Sequence, residues 1–127
     1  MKSQNILAQN GLMILWSLLP FTKSKATLFM NKENQFELYT NYPNPFHTIT
    51  IIYFSLMHAS RVQIELLNLM GQKLMTLTDE KMEPGVQRVP LYKVTNGITL
   101  TAGTYIYSLI VTNSNGTFRE NKFLTVL

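Results

Sequence analysis

From Thr50 onward the chain places apolar and polar side chains with a period of two. In Thr50-Ile51-Ile52-Tyr53-Phe54-Ser55-Leu56, residues Ile52, Phe54 and Leu56 share one face while Ile51 and Tyr53 share the other. β-Branched and aromatic residues in such a run predict a strand. Arg61 to Leu66 alternates more cleanly: Val62, Ile64 and Leu66 point to a core, Arg61, Gln63 and Glu65 to water, as in a strand with one wet face. Leu74 and Leu77 fall in the next strand. Val86 to Tyr92 supplies another, with Val89 and Leu91 on one side. Pro90 lies between them and has no N–H to give a ladder, which assigns this strand to an edge or a bulge. Tyr105, Tyr107, Leu109 and Val111 share a face of Thr104 to Val111, and a last strand runs from about Thr117 to the terminus.

Turn signals separate these runs. They are Met57 to Ser60, Leu67 to Gln72 with its Asn68 and Gly71, the polar stretch Asp79 to Gly85 closing on Pro84-Gly85, Asn96-Gly97, and Asn113-Ser114-Asn115-Gly116. The last reads as a hairpin whose Asn-Gly suits the positive φ values of a type I′ turn. Six or seven short strands with no sustained helical period predict an all-β antiparallel sandwich, held by two inner faces of Ile, Leu, Val, Phe and Tyr.

Upstream of the strands lies Asn41-Tyr42-Pro43-Asn44-Pro45-Phe46. Its prolines fix φ and push the preceding residues out of the helical region. The reading is a stiff, extended entry clamp with an aromatic ring at each side. Residues 27–40 show no period and read as a spacer. Residues 1–26 read as a signal peptide: an apolar run from Gly11 to Phe21 follows Lys2, and small residues stand at Ser24 and Ala26 where a signal peptidase reads. That run predicts a hydrophobic helix shorter than the roughly 20 residues a bilayer needs. The competing reading is a buried or amphipathic helix, against which Gly11 to Phe21 offers no polar face. The division is therefore signal peptide 1–26, spacer 27–40 and β-sandwich 41–127.

Charge and composition narrow the function mainly by exclusion. The formal charge is +4, but Lys2, Lys23 and Lys25 account for three of those charges in a segment without acids. Beyond residue 26 the basic residues stand singly among the acidic ones and form no patch, so nucleic acid is not an expected partner. The absence of cysteine excludes disulfides, thiolate metal sites and a cysteine nucleophile. His47 and His58 each lie in a turn region away from acids. Asp79, Glu80 and Glu83 match no calcium loop, no glycine-rich phosphate loop is present, and no serine stands in a nucleophile elbow. The expectation is a protein that is not an enzyme and takes no cofactor. Asn115-Gly116-Thr117 has the form of a glycan acceptor, which the hairpin accounts for without sugar.

One resemblance is specific. Asn41-Tyr42-Pro43-Asn44-Pro45-Phe46, then Thr50-x-Ile52-x-Phe54-x-Leu56, Val62-x-Ile64-x-Leu66, Asn68-x-x-Gly71-Gln72, Leu74-x-x-Leu77, Gly85, Gly103-x-Tyr105-x-Tyr107-x-Leu109 and Lys122 follow one another in an ordered series. The series resembles the C-terminal sorting domain, type A, of the type IX (Por) secretion system, and departs from it at His47-Thr48, Met57 and Leu91. The resemblance implies an immunoglobulin-like sandwich on proteins that Bacteroidetes export through the periplasm to the cell surface or medium. It implies as partners an outer-membrane translocon and a sortase-like cysteine protease, with attachment of cargo to anionic lipopolysaccharide. It also points to Gly103, Tyr105 and Lys122, with the terminal strand, as recognition residues. Each has a structural role open to it as well: Gly103 as a positive-φ position, Tyr105 as core with its hydroxyl at the rim, Lys122 as a guard on an edge strand. The alternatives to a sorting signal are a free-standing surface-binding or adhesion module, and the remnant of a larger secreted protein that has lost its cargo.

Overall fold

A computed structural model describes residues 34–127. The expected signal peptide and the first part of the spacer lie outside the described residues. Those described form strands β1 (Phe36–Leu38), β2 (Ile49–Leu56), β3 (Ser60–Leu67), β4 (Lys73–Met82), β5 (Gly85–Tyr92), β6 (Val94–Thr95), β7 (Ile98–Thr99), β8 (Gly103–Asn113) and β9 (Gly116–Val126). One sheet has the order β1-β2-β5, a second the order β4-β3-β8-β9, and β6 and β7 make a small hairpin of their own. All these strand pairs are antiparallel. The inner faces of the two larger sheets meet in one core, an all-β sandwich, with Ile52, Phe54, Val62, Ile64, Tyr107 and Leu109 among its buried members.

The period-two reading places the main strands correctly. β2 buries Ile52, Phe54 and Leu56, and β3 buries Val62, Ile64 and Leu66. β5 is an edge strand bonded to β2 alone, with Pro90 across from Ile51. Asn68 organises the β3–β4 turn: its Oδ1 accepts from the N–H groups of Met70 and Gln72 at 2.9 and 3.0 Å, and Gly71 supplies a φ of 85°.

Three expectations change. The stretch read as spacer contains β1, which pairs Phe36 with Leu56 and Leu38 with Phe54 and buries both of its apolar side chains. The polar stretch from Asp79 is not a loop: Asp79 to Met82 continue β4, opposite Gln63, Val62, Arg61 and Ser60. β4 is an edge strand, so polar side chains there meet water, and the strand carries register shifts opposite Ile64/Glu65 and Leu66/Leu67 that break its alternation. The mirror-image turn is at Asn96-Gly97, with φ of 50° and 77°. At Asn113 to Gly116 only Gly116 has positive φ, because Asn113 Oδ1 accepts the Asn115 N–H at 2.8 Å and shapes an Asx turn instead.

The segment from Asn41 to Phe46 joins the two sheets. Tyr42 bridges to Ile51 of β2, and Phe46 bridges in parallel to Val126 of β9. Phe46 N–H donates to the Thr125 carbonyl at 3.1 Å, and Leu127 N–H donates to the Phe46 carbonyl at 2.9 Å. Residues 43–45 bend rather than run extended, and the Tyr42–Pro43 and Asn44–Pro45 peptides are cis. The two flanking aromatics differ: Phe46 is buried in the core, whereas Tyr42 is 72% exposed.

Replacing Phe46 by alanine removes a buried ring between the sheets. The expected cost is about 3–5 kcal/mol of unfolding free energy, read from the midpoint of a urea transition. Tyr42→Ala, on the exposed side of the same segment, should move that midpoint little.

Candidate recognition surface

Gly103, Tyr105 and Lys122 belong to one pair of strands. β8 and β9 run in uninterrupted register, with Gly103 opposite Val126, Tyr105 opposite Leu124 and Tyr107 opposite Lys122. The three therefore lie along one face of the β8–β9 ribbon, and it is the face turned to the core.

Gly103 opens β8 at a φ of 152°. A Cβ built there would meet no atom within 4 Å, so backbone conformation alone holds glycine at this position. Two residues on, the Tyr105 ring is buried and its hydroxyl turns back to donate to the Thr101 carbonyl at 2.7 Å. The Thr101 hydroxyl lies 3.0 Å from the same oxygen. Gly103 and Tyr105 thus form one corner that brings the chain from the β6–β7 hairpin into β8.

Lys122 is on β9, the outer strand of its sheet. It points inward beside Glu120, with Nζ 3.9 Å from Glu120 Oε2 and a side chain only 32% exposed. Inward-pointing charge on an outer strand discourages pairing with stray partners.

Tyr107 sits in the same column, and the reading from sequence assigned it only to the core. Its ring is wholly buried. Its hydroxyl donates to the Tyr39 carbonyl at 3.2 Å and accepts the Asn41 N–H at 3.2 Å. Burial pushes the phenol above its ordinary value of 10.0; the Asn41 N–H, which favours the phenolate, opposes this, and the Glu120 carboxylate adds to it. Beyond this contact, Asn41 Nδ2 donates to Thr50 Oγ1 at 2.9 Å, and Thr50 Oγ1 donates to the Pro43 carbonyl at 2.7 Å. Asn41 Oδ1 is the one buried side-chain polar atom without a partner among the described residues. Asn44 Oδ1 accepts the Thr125 N–H at 2.9 Å. Entry segment, β8 and β9 are thereby one hydrogen-bonded assembly.

The residues with possible chemistry are spread out. His47 and His58 occupy separate exposed bends. Asp79 pairs with Arg61, accepting from Nε and Nη2 at 2.9 and 3.0 Å. An open cleft between β4 and β5 is lined by Leu77, Met82, Val89 and Pro90 together with Glu80 and Arg88. Among the described residues no three His, Asp or Glu side chains come together as metal ligands would. What the assembly offers is a folded surface and a strand edge.

No protein-family model matches the chain, and no curated protein matches it in sequence. Among solved structures, the fold is similar to part of dimeric latent PorU from Porphyromonas gingivalis, with a TM-score of 0.61 and 15% identity. The match takes in 72% of this chain and spans 9% of the length of that protein. At this identity the likeness concerns the fold.

Tyr107→Phe leaves a buried carbonyl and a buried N–H without their partner, and should cost about 1–3 kcal/mol at neutral pH. Because the folded-state pKa of Tyr107 is raised, its contribution is complete below pH 10.0 and is lost as pH rises through the higher folded value. Guanidinium midpoints measured from pH 8 to pH 12 should fall more steeply above pH 10 for the wild type than for Tyr107→Phe. Gly103→Ala should cost about 1 kcal/mol or more through backbone conformation alone, by the same measurement.

Proposed function

We propose that residues 34–127 are a non-catalytic, immunoglobulin-like sorting domain that directs an exported protein through the type IX secretion system to the cell surface or medium. The observation that carries this reading is where the ordered motif series falls in the fold. Asn41 to Phe46, Asn68 with Gly71, Gly85, Gly103, Tyr105 and Tyr107 sit at the joints that close one small sandwich. That placement supports reading the series as the specification of one folded unit. The likeness in fold to PorU, a protein of the type IX system, supports the same direction.

In this reading the partners are the outer-membrane translocon and a sortase-like cysteine protease, and anionic lipopolysaccharide receives the cargo. Recognition uses the exposed side of the β8–β9 ribbon, which Gly103, Tyr105 and Lys122 shape from its core-facing side. A strand edge contributes backbone hydrogen bonds and little sequence dependence, as in strand addition. The leader at residues 1–26 takes the precursor to the periplasm.

A reporter carrying a Sec signal and residues 32–127 should reach the surface or medium of a type IX-competent cell and stay periplasmic in a translocon-deficient one. A fusion beginning at Asn41 lacks Phe36 and Leu38, and should be exported less well and cleaved more readily by periplasmic proteases. A reporter that remains periplasmic in both strains while the intact domain binds a surface partner would sink the sorting reading and favour an adhesion module.

A further inference from the structure

β2 is apolar on both faces. Ile52, Phe54 and Leu56 fill the core, while Ile49, Ile51 and Tyr53 are half-buried on the other side. Apolar side chains on both faces are the pattern of a strand covered on both sides, yet among the described residues no second layer lies over this one. The register shows its neighbours on that outer face. Tyr92 stands opposite Ile49, Pro90 opposite Ile51 and Arg88 opposite Tyr53, and directly opposed residues turn their side chains the same way. On the other flank Tyr42 pairs with Ile51, and the Tyr39 N–H donates to the Tyr53 carbonyl at 3.0 Å. Tyr39 follows the inward Leu38, so it too faces out. Four of the chain's six tyrosines therefore share the outer face of the β1-β2-β5 sheet, and the other two, Tyr105 and Tyr107, are in the core. The four-stranded sheet differs: Arg61, Gln63 and Glu65 of β3, with Arg119 and Asn121 of β9, make its outer face an ordinary polar one.

We propose that this face binds a neutral polysaccharide built of pyranose rings with equatorial hydroxyls, and that the tyrosine rings are its stacking platform. Charge sets the first limit. The face carries one base, Arg88, and one acid, Glu37, so its net charge is close to zero. Nucleic acid and an anionic lipid surface both call for clustered cations, and this face has none. The hydroxyls set the second limit. Among the described residues only the Tyr39 hydroxyl has a protein partner, Glu37 Oε1 at 3.4 Å. A wholly apolar cover would strip water from the phenols, the guanidinium and the carboxylate without replacing its hydrogen bonds, at a cost for each group. The face therefore calls for a ligand that brings apolar surface and hydroxyls at the same short interval. A pyranose with equatorial hydroxyls does so: its flat sides are C–H, which the electron-rich face of a phenol attracts, and its rim is all donors and acceptors.

The layout gives each residue a part. Tyr42 and Tyr92, both exposed, stand on opposite flanks of β2 and one two-residue step apart along it. Sheet spacings put their Cα atoms roughly 12 Å from each other, far enough for each to carry a different ring of the ligand. Between them Ile49, Ile51 and Pro90 form an apolar floor. Toward the other end Arg88 stands opposite Tyr53, and Glu37 lies opposite Ser55 one step further on. The guanidinium offers paired donors to neighbouring hydroxyls, and the carboxylate offers acceptors. The face lies on the sheet that excludes β8 and β9, so the proposal does not rest on the sorting reading.

Native electrophoresis of the full chain through gels containing hydroxyethyl cellulose should show retardation that grows with the amount of polymer, and calorimetry with cellohexaose should give the affinity. Tyr42→Ala and Tyr92→Ala should each weaken binding by about tenfold. Tyr42→Phe, which keeps the ring, should weaken it less than Tyr42→Ala. Phe123→Ala removes an equally exposed ring from the opposite sheet and should bind as the wild type does. Absence of retardation by hydroxyethyl cellulose would overturn the proposal, as would retardation by anionic polygalacturonate alone, which charge without stacking produces in a basic chain. Alanine variants that bind like the wild type, or a Phe123→Ala loss as large as theirs, would overturn it as well. Self-association that depends on Tyr42 in a chain that binds no glucan would give the face to a second copy instead.

Discussion

The sandwich depends on one buried hydroxyl. Tyr107 reaches from the middle of the four-stranded sheet to the backbone where the chain leaves β1, donating a hydrogen bond to the Tyr39 carbonyl and accepting one from the Asn41 N–H. A chain that crosses between sheets must strip water from peptide groups that no ladder can serve. Here a side chain serves them, and the residues beyond are then held in sequence: Asn41 on Thr50, Thr50 on Pro43, Asn44 and Phe46 on Thr125. The core explains why the two sheets attract, since apolar burial is the main favourable term. It does not explain why they meet in one alignment. The hydroxyl and the bonds that follow it do.

The same economy governs the strand edges, each protected by a different device. β1 is only three residues long. β5 carries Pro90. β4 is interrupted twice in its pairing and carries Asp79, Glu80 and Lys81 in a row. β9 is long and regular, and its protection is concentrated in Glu120 and Lys122 and in the entry segment over its last residues. These are recognised ways of keeping sheets from joining at random. A short or irregular edge refuses a partner by its geometry, whereas inward-pointing charge refuses it by the cost of burying that charge.

Much of this fold could be read from the order of residues, wherever information is local. The buried faces of β2, β3 and β8 follow from alternation, and the edge position of β5 follows from Pro90. β1 escaped because three residues are too few to show a period, and because Gln35 and Glu37 make its surroundings look polar. The second half of β4 escaped because an outer strand with a wet face need not be apolar. At Asn115 the local rule for Asn-Gly gave way to a side-chain bond from Asn113. Among the candidate recognition residues, Gly103, Tyr105 and Lys122 came into view through the family resemblance. The role of Tyr107 did not, because its hydroxyl partners lie 66 and 68 residues earlier and no local pattern carries that separation. The expected leader falls outside the described residues.

The pairing of β1 has a mechanical meaning. The strand runs antiparallel to β2, entering beside Leu56 and continuing past Tyr53 to Ile51. A pull along the axis of this strand loads the bonds between β1 and β2 in shear, several at once, instead of peeling them one after another. The Tyr107 hydroxyl anchors the far end of the loaded segment. Force along that axis therefore meets several bonds together before the first of them can part.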